Sequence, residues 1–282
     1  MTTTAGPGGP PNPAGPSLAG LTVLVPRARD QAGGFSVLLR ARGAEALEVP
    51  TIEIRQVAST TQLDRAVREL FAGRFDWVVL TSVNGVAAVR SRVEALSQDP
   101  AALGRSRERA ERAGRPSPTV RVAAVGPATE AALRDWGIAP RLVPEVATTA
   151  ALGHAFPEGP GSVLLARADL ANPELGVLLR DKGWRTSEVV AYHTVPLERL
   201  DPAARRRLDG GEVDWVAFTA SSTVEGFLRG YGGPPPPRVR VAAIGPVTAD
   251  AARSAGMRVA ATATEHTIPG LVAAIEHAVA VG

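Results

Sequence analysis

The amino-acid sequence predicts an α/β protein with two parallel-sheet domains that derive from an internal duplication. The first observation is a stretch that occurs twice: residues 120–137 and residues 239–256 are identical at eleven of their eighteen positions, without a gap. The second is the alternation of short apolar runs with helical segments, which is typical of parallel sheets covered by helices on both faces. The third is the length of 282 residues, which accommodates two domains of ordinary size.

The elements of the first copy follow from hydrophobic runs, turn residues and helix-ending glycines. The strand runs are apolar without strict alternation, as expected for strands buried on both faces. In chain order, the predicted elements are a strand at 21–25, a helix over 30–42, an extended run over 46–54, a helix near 62–72, a strand at 76–80, a helix opened by Asn84, a strand at 120–124, a short strand at 141–143 and a helix near 148–155.

The same order of elements restarts in the second half of the chain. VLLARADLANPELGVLLRDKG (163–183) aligns with VLVPRARDQAGGFSVLLRARG (23–43) at an offset of 140 residues. VDWVAFTASSTVEGF (213–227) aligns with FDWVVLTSVNGVAAV (75–89) at 138, and the repeated stretch aligns at 119. The last offset is smaller because the Arg-rich segment 97–118 has a shorter counterpart, which is how a surface loop behaves. The pattern predicts two flavodoxin-like domains, each with a parallel sheet of about five strands.

Each repeated stretch predicts a strand, a Gly-Pro turn and the start of a helix. Gly126 and Gly245 are expected to let the backbone turn sharply and to let a ligand approach it closely. Thr129 and Thr248 place hydroxyls beside the unpaired amides of the first helical turn, as capping groups or as ligand-binding groups. Because a helix N-terminus attracts anions, two such turns predict a ligand with several negative groups.

Other polar residues follow predicted strands, and ligands of open parallel sheets bind beyond the carboxyl ends of the strands. Arg27 and Arg167 stand directly after a strand in both copies. Their guanidinium groups suit contact with a carboxylate, and a structural salt bridge is the alternative.

Comparing the two copies separates residues that the fold requires from residues that it does not. Tyr192 aligns with Ile52 at the offset of 140, so the fold accepts an aliphatic residue at this place. Tyr192 is therefore a candidate for catalysis, with a core tyrosine whose hydroxyl is hydrogen-bonded as the alternative. The turn that contains Ser82 and Asn84 is more polar than its counterpart in the second copy.

The composition excludes several classes of site. The chain has no cysteine, which removes disulfides, thiolate metal sites and thiol nucleophiles. Its four histidines lack the spacing of metal ligands, so no metal site is expected. No dinucleotide or P-loop fingerprint is present in the sequence.

Charge and hydropathy argue against nucleic acid and membrane as partners. The net charge is +3, and the basic cluster at 105–115 contains no aromatic residue that could stack on bases, so we expect a solvated loop. No run of eighteen apolar residues exists, so no membrane-spanning helix is expected. Residues 1–17 read as a disordered Pro/Gly tail without the features of a secretory signal.

Taken together, these motifs resemble the uroporphyrinogen-III synthase family. The resemblance extends over about residues 21–271 and is carried, in order, by VLVPRA, EVPTIEI, FDWVVLTSVNGV, VAAVGPATEAAL, ARADLANPELGVLLRDKGW, VVAYHTV, WVAFTASSTV and VAAIGPVTADAA. It implies a first domain of residues 18–51 plus 196–282 and a second domain of 52–195, in place of the sequential division that the repeat alone favours. It also implies a two-stranded β linker near 50–54 and 190–195, with the active-site cleft between the domains.

The resemblance implies a reaction as well. The family closes hydroxymethylbilane, a linear tetrapyrrole with acetate and propionate arms, into uroporphyrinogen III, with loss of water and inversion of ring D. An azafulvenium cation and a spiro intermediate are implied, and no cofactor or metal is needed. The implied protein is a cytoplasmic monomer that receives its substrate from hydroxymethylbilane synthase.

Residues matched to the family's motifs acquire roles by resemblance alone. Tyr192 is implied as the catalytic residue that assists departure of the hydroxyl group, by polarising it more than by donating a full proton. Ala220 stands where the family often has serine, which leaves Ser221 and Ser222 to supply hydroxyls in the second polar turn. The substrate-binding candidates are Arg27, Ser82, Asn84, Gly126, Thr129, Arg167, Ser221, Ser222, Gly245 and Thr248.

Other interpretations stay open at this point. The main alternative is a non-catalytic relative in which the same fold senses a ligand for a regulator. An unrelated two-domain solute-binding protein is disfavoured by the polar-turn motifs and by the missing export signal. The Pro/Gly tail is also compatible with fusion to a methyltransferase, a form that occurs in the family.

Overall fold

The computed structural model describes residues 17–103 and 120–281, so most of the predicted Pro/Gly tail and Arg-rich loop lies outside the described residues. The strands are β1 (Thr22–Val25), β2 (Glu45–Glu48), β3 (Ile52–Gln56), β4 (Trp77–Leu80), β5 (Arg121–Ala124), β6 (Gly161–Ala168), β7 (Trp184–Pro196), β8 (Trp215–Phe218), β9 (Arg240–Ala243) and β10 (Val259–Thr262). The α-helices are α1 (Arg29–Ala41), α2 (Thr61–Phe71), α3 (Val83–Ala95), α4 (Pro127–Asp135), α5 (Thr149–Ala155), α6 (Glu174–Asp181), α7 (Pro202–Gly210), α8 (Ser221–Tyr231), α9 (Pro246–Ser254) and α10 (Ile268–Ala280).

Two five-stranded sheets form the framework. The first sheet has the order β10-β9-β8-β1-β2, and its pairs are parallel. The second has the order β3-β7-β6-β4-β5 and is parallel except for β3, which is antiparallel to β7. The predicted α/β class with two parallel sheets is confirmed. The first sheet takes its strands from both ends of the described chain, whereas the second takes them from the middle.

The duplication is visible in the strand order. Strands β9, β8, β1 and β2 of the first sheet correspond to β5, β4, β6 and β7 of the second. The counterpart of β10 differs from the prediction, because the strand expected at 141–143 is a single bridge between Leu142 and Ala123. Pro140 and Pro144 flank this run, and proline cannot donate a hydrogen bond to a neighbouring strand.

The strands of each sheet carry buried apolar side chains on both faces. The strands β1, β4 and β8 are buried at every residue, although their side chains point alternately to opposite faces. In β4, Val78 and Leu80 pack into one core cluster while Trp77 and Val79 pack into another. Burying one such side chain contributes roughly 1.5–3 kcal/mol, so the sheets form a rigid base for the loops at their edges.

A two-stranded connection joins the sheets. The first half of β7 pairs with β6, and its last residues pair with β3, from Gln56 opposite Tyr192 to Ile52 opposite Pro196. At the start of this connection, the Thr51 hydroxyl donates to the carbonyl of Pro26 at 2.9 Å. In the described ranges, no helix combines the length and apolar character needed to cross a membrane.

Candidate functional site

The two Gly-Pro turns lie on the same cleft, which has a volume of about 290 Å³. One turn follows β5 of the second sheet and the other follows β9 of the first sheet, so the cleft lies between the two sheets. Arg27, Thr219 and residues 266–268 complete its wall on the side of the first sheet. Of the predicted binding residues, the cleft brings together Arg27, Gly126, Thr129, Gly245 and Thr248.

Space, rather than a special backbone conformation, requires glycine in both turns. Gly126 and Gly245 have φ angles of −178°, which any residue can adopt, so the backbone conformation of these turns does not itself require glycine. A Cβ atom on Gly126 would lie 2.5 Å from the Cβ of Ala147. A Cβ atom on Gly245 would lie 3.0 Å from the imidazole ring of His266. The close approach that was expected of a ligand is thus also made by the protein itself.

The threonines that follow the turns are buried but do not cap their helices. Thr129 is 4% exposed and Thr248 is 5% exposed, and both line the cleft. The helices begin at Pro127 and Pro246. No described side chain caps the N-terminus of either helix, because the capping position is occupied by glycine. Among the described residues, neither threonine hydroxyl has a hydrogen-bond partner. The first backbone amides of each helix also have no acceptor within the helix. Two sets of free donors therefore face the cleft.

A second group of predicted residues surrounds the hydroxyl of Tyr192. Tyr192 is 8% exposed, and its hydroxyl lies 2.9 Å from the Ser82 hydroxyl. Ser82 also accepts a hydrogen bond from the amide of Gly85 at 3.0 Å, so Ser82 caps α3, which begins at Val83, one residue before the predicted start at Asn84. Tyr192 and Asn84 line a second cavity of about 270 Å³.

Burial sets the protonation of this phenol. Burial raises the pKa of Tyr192 above its usual value of 10.0, hydrogen bonds with Ser82 and Asn84 partly oppose the rise, and the charge of Asp169 adds to it. The phenol is therefore neutral near pH 7 and keeps an O–H donor. The carboxylate of Asp169 is itself held by the Nδ1 atom of His193 at 2.8 Å and by the amide of Thr194.

Gln31 connects the two groups. Its Nε2 atom donates to Asn84 Oδ1 at 2.5 Å, and its Oε1 atom accepts from an Arg27 guanidinium nitrogen at 3.5 Å. Because α1 packs with the first sheet and α3 with the second, this side chain bridges the two sheets. Gln31 is not among the predicted residues, although its counterpart at the offset of 140 is Ala171, a difference between the copies that marks the position as one the fold does not require.

Three predicted binding residues lie elsewhere. Arg167 is 5% exposed, forms an ion pair with Glu188 and donates to the carbonyl of Asn172 at 2.7 Å, which is the salt-bridge alternative stated above. Ser221 and Ser222 begin α8 and line neither cavity. Across residues 17–103 and 120–281, no three His, Asp or Glu side chains are grouped so that they could hold a metal ion.

The chain matches the family model described as uroporphyrinogen-III synthase HemD over residues 34–273. The chain belongs to the uroporphyrinogen-III synthase family. The predicted family and the predicted class, a cyclising lyase of tetrapyrrole biosynthesis, are confirmed.

Individual members of the uroporphyrinogen-III synthase family agree with this match. The uroporphyrinogen-III synthase of Synechococcus elongatus is 29% identical over 269 residues, which cover 92% of this chain and 96% of that protein. The porphyrin biosynthesis protein HemD of Ruminiclostridium josui is 26% identical over 244 residues, and the chain spans 45% of its length. A mutant uroporphyrinogen III synthase from Thermus thermophilus aligns with 93% of this chain and 100% of its own, with a TM-score of 0.64 and 23% identity, which confirms the fold.

Proposed function

We propose that the chain binds hydroxymethylbilane in the cleft between its two sheets and closes it to uroporphyrinogen III. The observation that carries this proposal is the pair of helix N-termini on one cleft, each with a buried threonine hydroxyl that has no partner among the described residues. Free amides and hydroxyls are donors, and a bilane with acetate and propionate arms offers several anionic acceptors. The duplicated donors match a ligand whose negative groups are spread along its length.

Steering is the main task of this site in the proposed reaction. Without guidance the bilane closes to the uninverted isomer, so the protein has to hold both ends in the geometry of the spiro attack. The cleft has a volume of about 290 Å³, which is just below the roughly 300–1,000 Å³ of pockets that hold ligands of drug size. We therefore propose that the sheets separate to admit the bilane and close again, with the β3–β7 connection as the hinge.

Tyr192 is the proposed group that assists departure of the ring A hydroxyl. Its raised pKa keeps the phenol neutral, so it can donate a hydrogen bond to the leaving oxygen. Asn84 lines the second cavity together with Tyr192. Gln31 hydrogen-bonds both Asn84 and Arg27, and Arg27 lines the cleft. This continuous path supports binding of the hydroxymethyl end of the bilane at the boundary between the two cavities.

The proposal includes the organisation and setting of the protein. We assign residues 18–51 and 196–282 to one domain and 52–195 to the other, in agreement with the strand membership of the sheets. A cytoplasmic monomer that receives its substrate from hydroxymethylbilane synthase completes the proposal.

Purified protein supplied with freshly prepared hydroxymethylbilane tests this function. The expected product is mainly the type III isomer, separated from the type I isomer by chromatography. Binding without turnover, measured by calorimetry, would support the ligand-sensing alternative. Type I product at the rate of the enzyme-free control would overturn the proposal.

A further inference from the structure

The two halves of the cleft differ at one position that the fold does not determine. His266 aligns with Ala147 at the offset of 119 residues. Both residues occupy the same place in their own copy, because each lies against the glycine of its Gly-Pro turn. The next residues, Thr148 and Thr267, both cap a helix, with hydrogen bonds of 3.0 and 3.1 Å from the amide three residues later. The backbone is thus alike in the two copies, and only the side chain differs.

The imidazole ring of His266 is positioned to bind a ligand. It is partly buried and lines the cleft beside Thr248 and Thr267. Among the described residues, neither ring nitrogen has a hydrogen-bond partner. The absence of a side chain at Gly245 provides the space for the ring, since a Cβ atom there would lie 3.0–3.2 Å from three ring atoms. On its outer side, His266 adjoins a surface cavity lined by Glu145 and Glu265.

The helix N-termini and the buried threonines of the cleft are symmetric between its two halves. Each half offers one helix N-terminus with one buried threonine hydroxyl, so a ligand with acid arms along its length could lie in either direction. Arg27 and His266 both belong to the first-sheet half, whereas Arg167, the counterpart of Arg27, is paired with Glu188 away from the cleft. The additional imidazole of His266 therefore favours one direction over the other.

We propose that His266 is a substrate-binding residue that donates a hydrogen bond to one carboxylate arm and so fixes the direction in which the bilane lies. This inference rests on the proposed function. One hydrogen bond to a charged arm corresponds to about a tenfold preference. A bilane that lies the other way presents its hydroxymethyl end to the wrong half, is released unreacted and closes to the type I isomer.

The test replaces His266 by the residue of its own counterpart. His266→Ala is expected to fold like the native protein, to lower kcat/KM about tenfold and to raise the type I fraction at limiting enzyme. His266→Gln keeps a donor and is expected to recover part of the loss. His154→Ala, a change at an exposed histidine at the end of α5, is the matched control and should leave both values unchanged.

Moving the imidazole to the other half of the cleft distinguishes an effect on the direction of the bound bilane from an effect on its affinity. The double variant Ala147→His with His266→Ala has the same number of donors on the opposite half of the cleft. It is expected to bind the bilane but not to recover the kcat/KM of the native protein. Recovery would overturn the inference, and so would a native kcat/KM and isomer ratio in His266→Ala with an unchanged melting temperature. If the native protein itself gives no type III isomer, the proposed function fails instead.

Discussion

The two copies of the repeat are alike at their Gly-Pro turns and unlike at their polar turns. Both Gly-Pro turns have an extended glycine, a proline that begins a helix and a buried threonine on the cleft. In the polar turns, Ser82 caps α3 with its hydroxyl and contacts Tyr192, whereas Ala220 has no side-chain acceptor. The Thr223 hydroxyl instead bonds the backbone of Ala220, accepting from its amide at 3.3 Å and donating to its carbonyl at 2.6 Å.

This difference separates binding from chemistry. A polycarboxylate needs similar anion sites along its length, so both copies keep the Gly-Pro turn with its free donors. A single leaving group needs one donor, so one copy is sufficient for the tyrosine and its polar neighbours. The comparison therefore predicts that changes in the shared turns affect mainly KM and that changes in the first polar turn affect mainly kcat.

The largest effect is expected for Tyr192→Phe. Loss of the neutral phenol donor should lower kcat by about 100-fold while the fold stays intact, because general acid assistance typically contributes factors of about 10² to 10⁴. The chain has two tyrosines, and Tyr231→Phe, which removes an exposed hydrogen bond to Asp209, is the control. Initial rates and circular dichroism of both variants are the measurements. An unchanged kcat in Tyr192→Phe would remove this residue from the mechanism.

The threonine counterparts are expected to contribute alike. Thr129→Val and Thr248→Val keep the shape of the side chain and remove the hydroxyl, so each should raise KM for the bilane about tenfold. The double variant should raise KM by about the product of the two factors if the sites bind separate arms. Steady-state kinetics provide the comparison. A fall in kcat without a change in KM would contradict a binding role.

The arginine counterparts are expected to behave differently. Arg167→Met removes a buried ion-pair partner and should lower the free energy of unfolding by about 1–3 kcal/mol with little change in KM. Arg27→Met should raise KM about tenfold and destabilise the fold less. Urea denaturation gives the free energy of unfolding of the two variants, and steady-state kinetics give their KM values. The distinction fails if Arg167→Met changes KM as strongly as Arg27→Met does.

The glycine counterparts differ in what an added methyl group would contact. Gly126→Ala places it 2.5 Å from Ala147, whose Cβ cannot move without the backbone, so a loss of about 1–3 kcal/mol is expected. Gly245→Ala places it against the His266 ring, which can rotate, so stability should fall less while KM rises. Equal losses of stability in the two variants would show that the imidazole is as fixed as the loop at Ala147.

The smallest effect concerns alkaline pH. Because the pKa of Tyr192 is raised, the donor is present below a pH of about 10 and is lost only above that value. The same shift makes stability fall as pH rises past about 10, since the unfolded phenol ionises first. Rates between pH 7 and 11, with Tyr192→Phe as the reference, check this. A fall in rate below pH 9 that is absent from the variant would indicate a lowered pKa.

The sequence predicted the framework well because each element leaves a local signal. Apolar runs, helix-ending glycines and the aligned repeat were enough to predict two parallel sheets of about five strands each, but not the order of the strands. The run at 141–143 forms a single bridge instead of the predicted strand, because prolines flank it on both sides. Helix starts were placed within one or two residues, as the capping hydroxyl of Ser82 illustrates.

The site was less predictable because it depends on contacts between distant parts of the chain. Gln31 meets Asn84 across 53 residues of sequence, and no local pattern indicates that pairing. Arg27 and Arg167 look equivalent in sequence, yet one lines the cleft and the other is paired with Glu188, which lies on a neighbouring strand. His266 lacks the spacing of a metal ligand, and only its alignment with Ala147 indicates a position that the fold leaves free.

The division of strands between the sheets also affects how the protein is made. The strands of the second sheet, β3 to β7, are consecutive in the chain. The first sheet is complete only when β8, β9 and β10, which come last in the chain, pair with β1 and β2. During synthesis, the second sheet can therefore assemble on the ribosome while β1 and β2 still lack β8, the strand that joins them to the rest of the first sheet. Premature termination after β7 would leave an exposed apolar edge, so we expect truncated chains of that length to need chaperones.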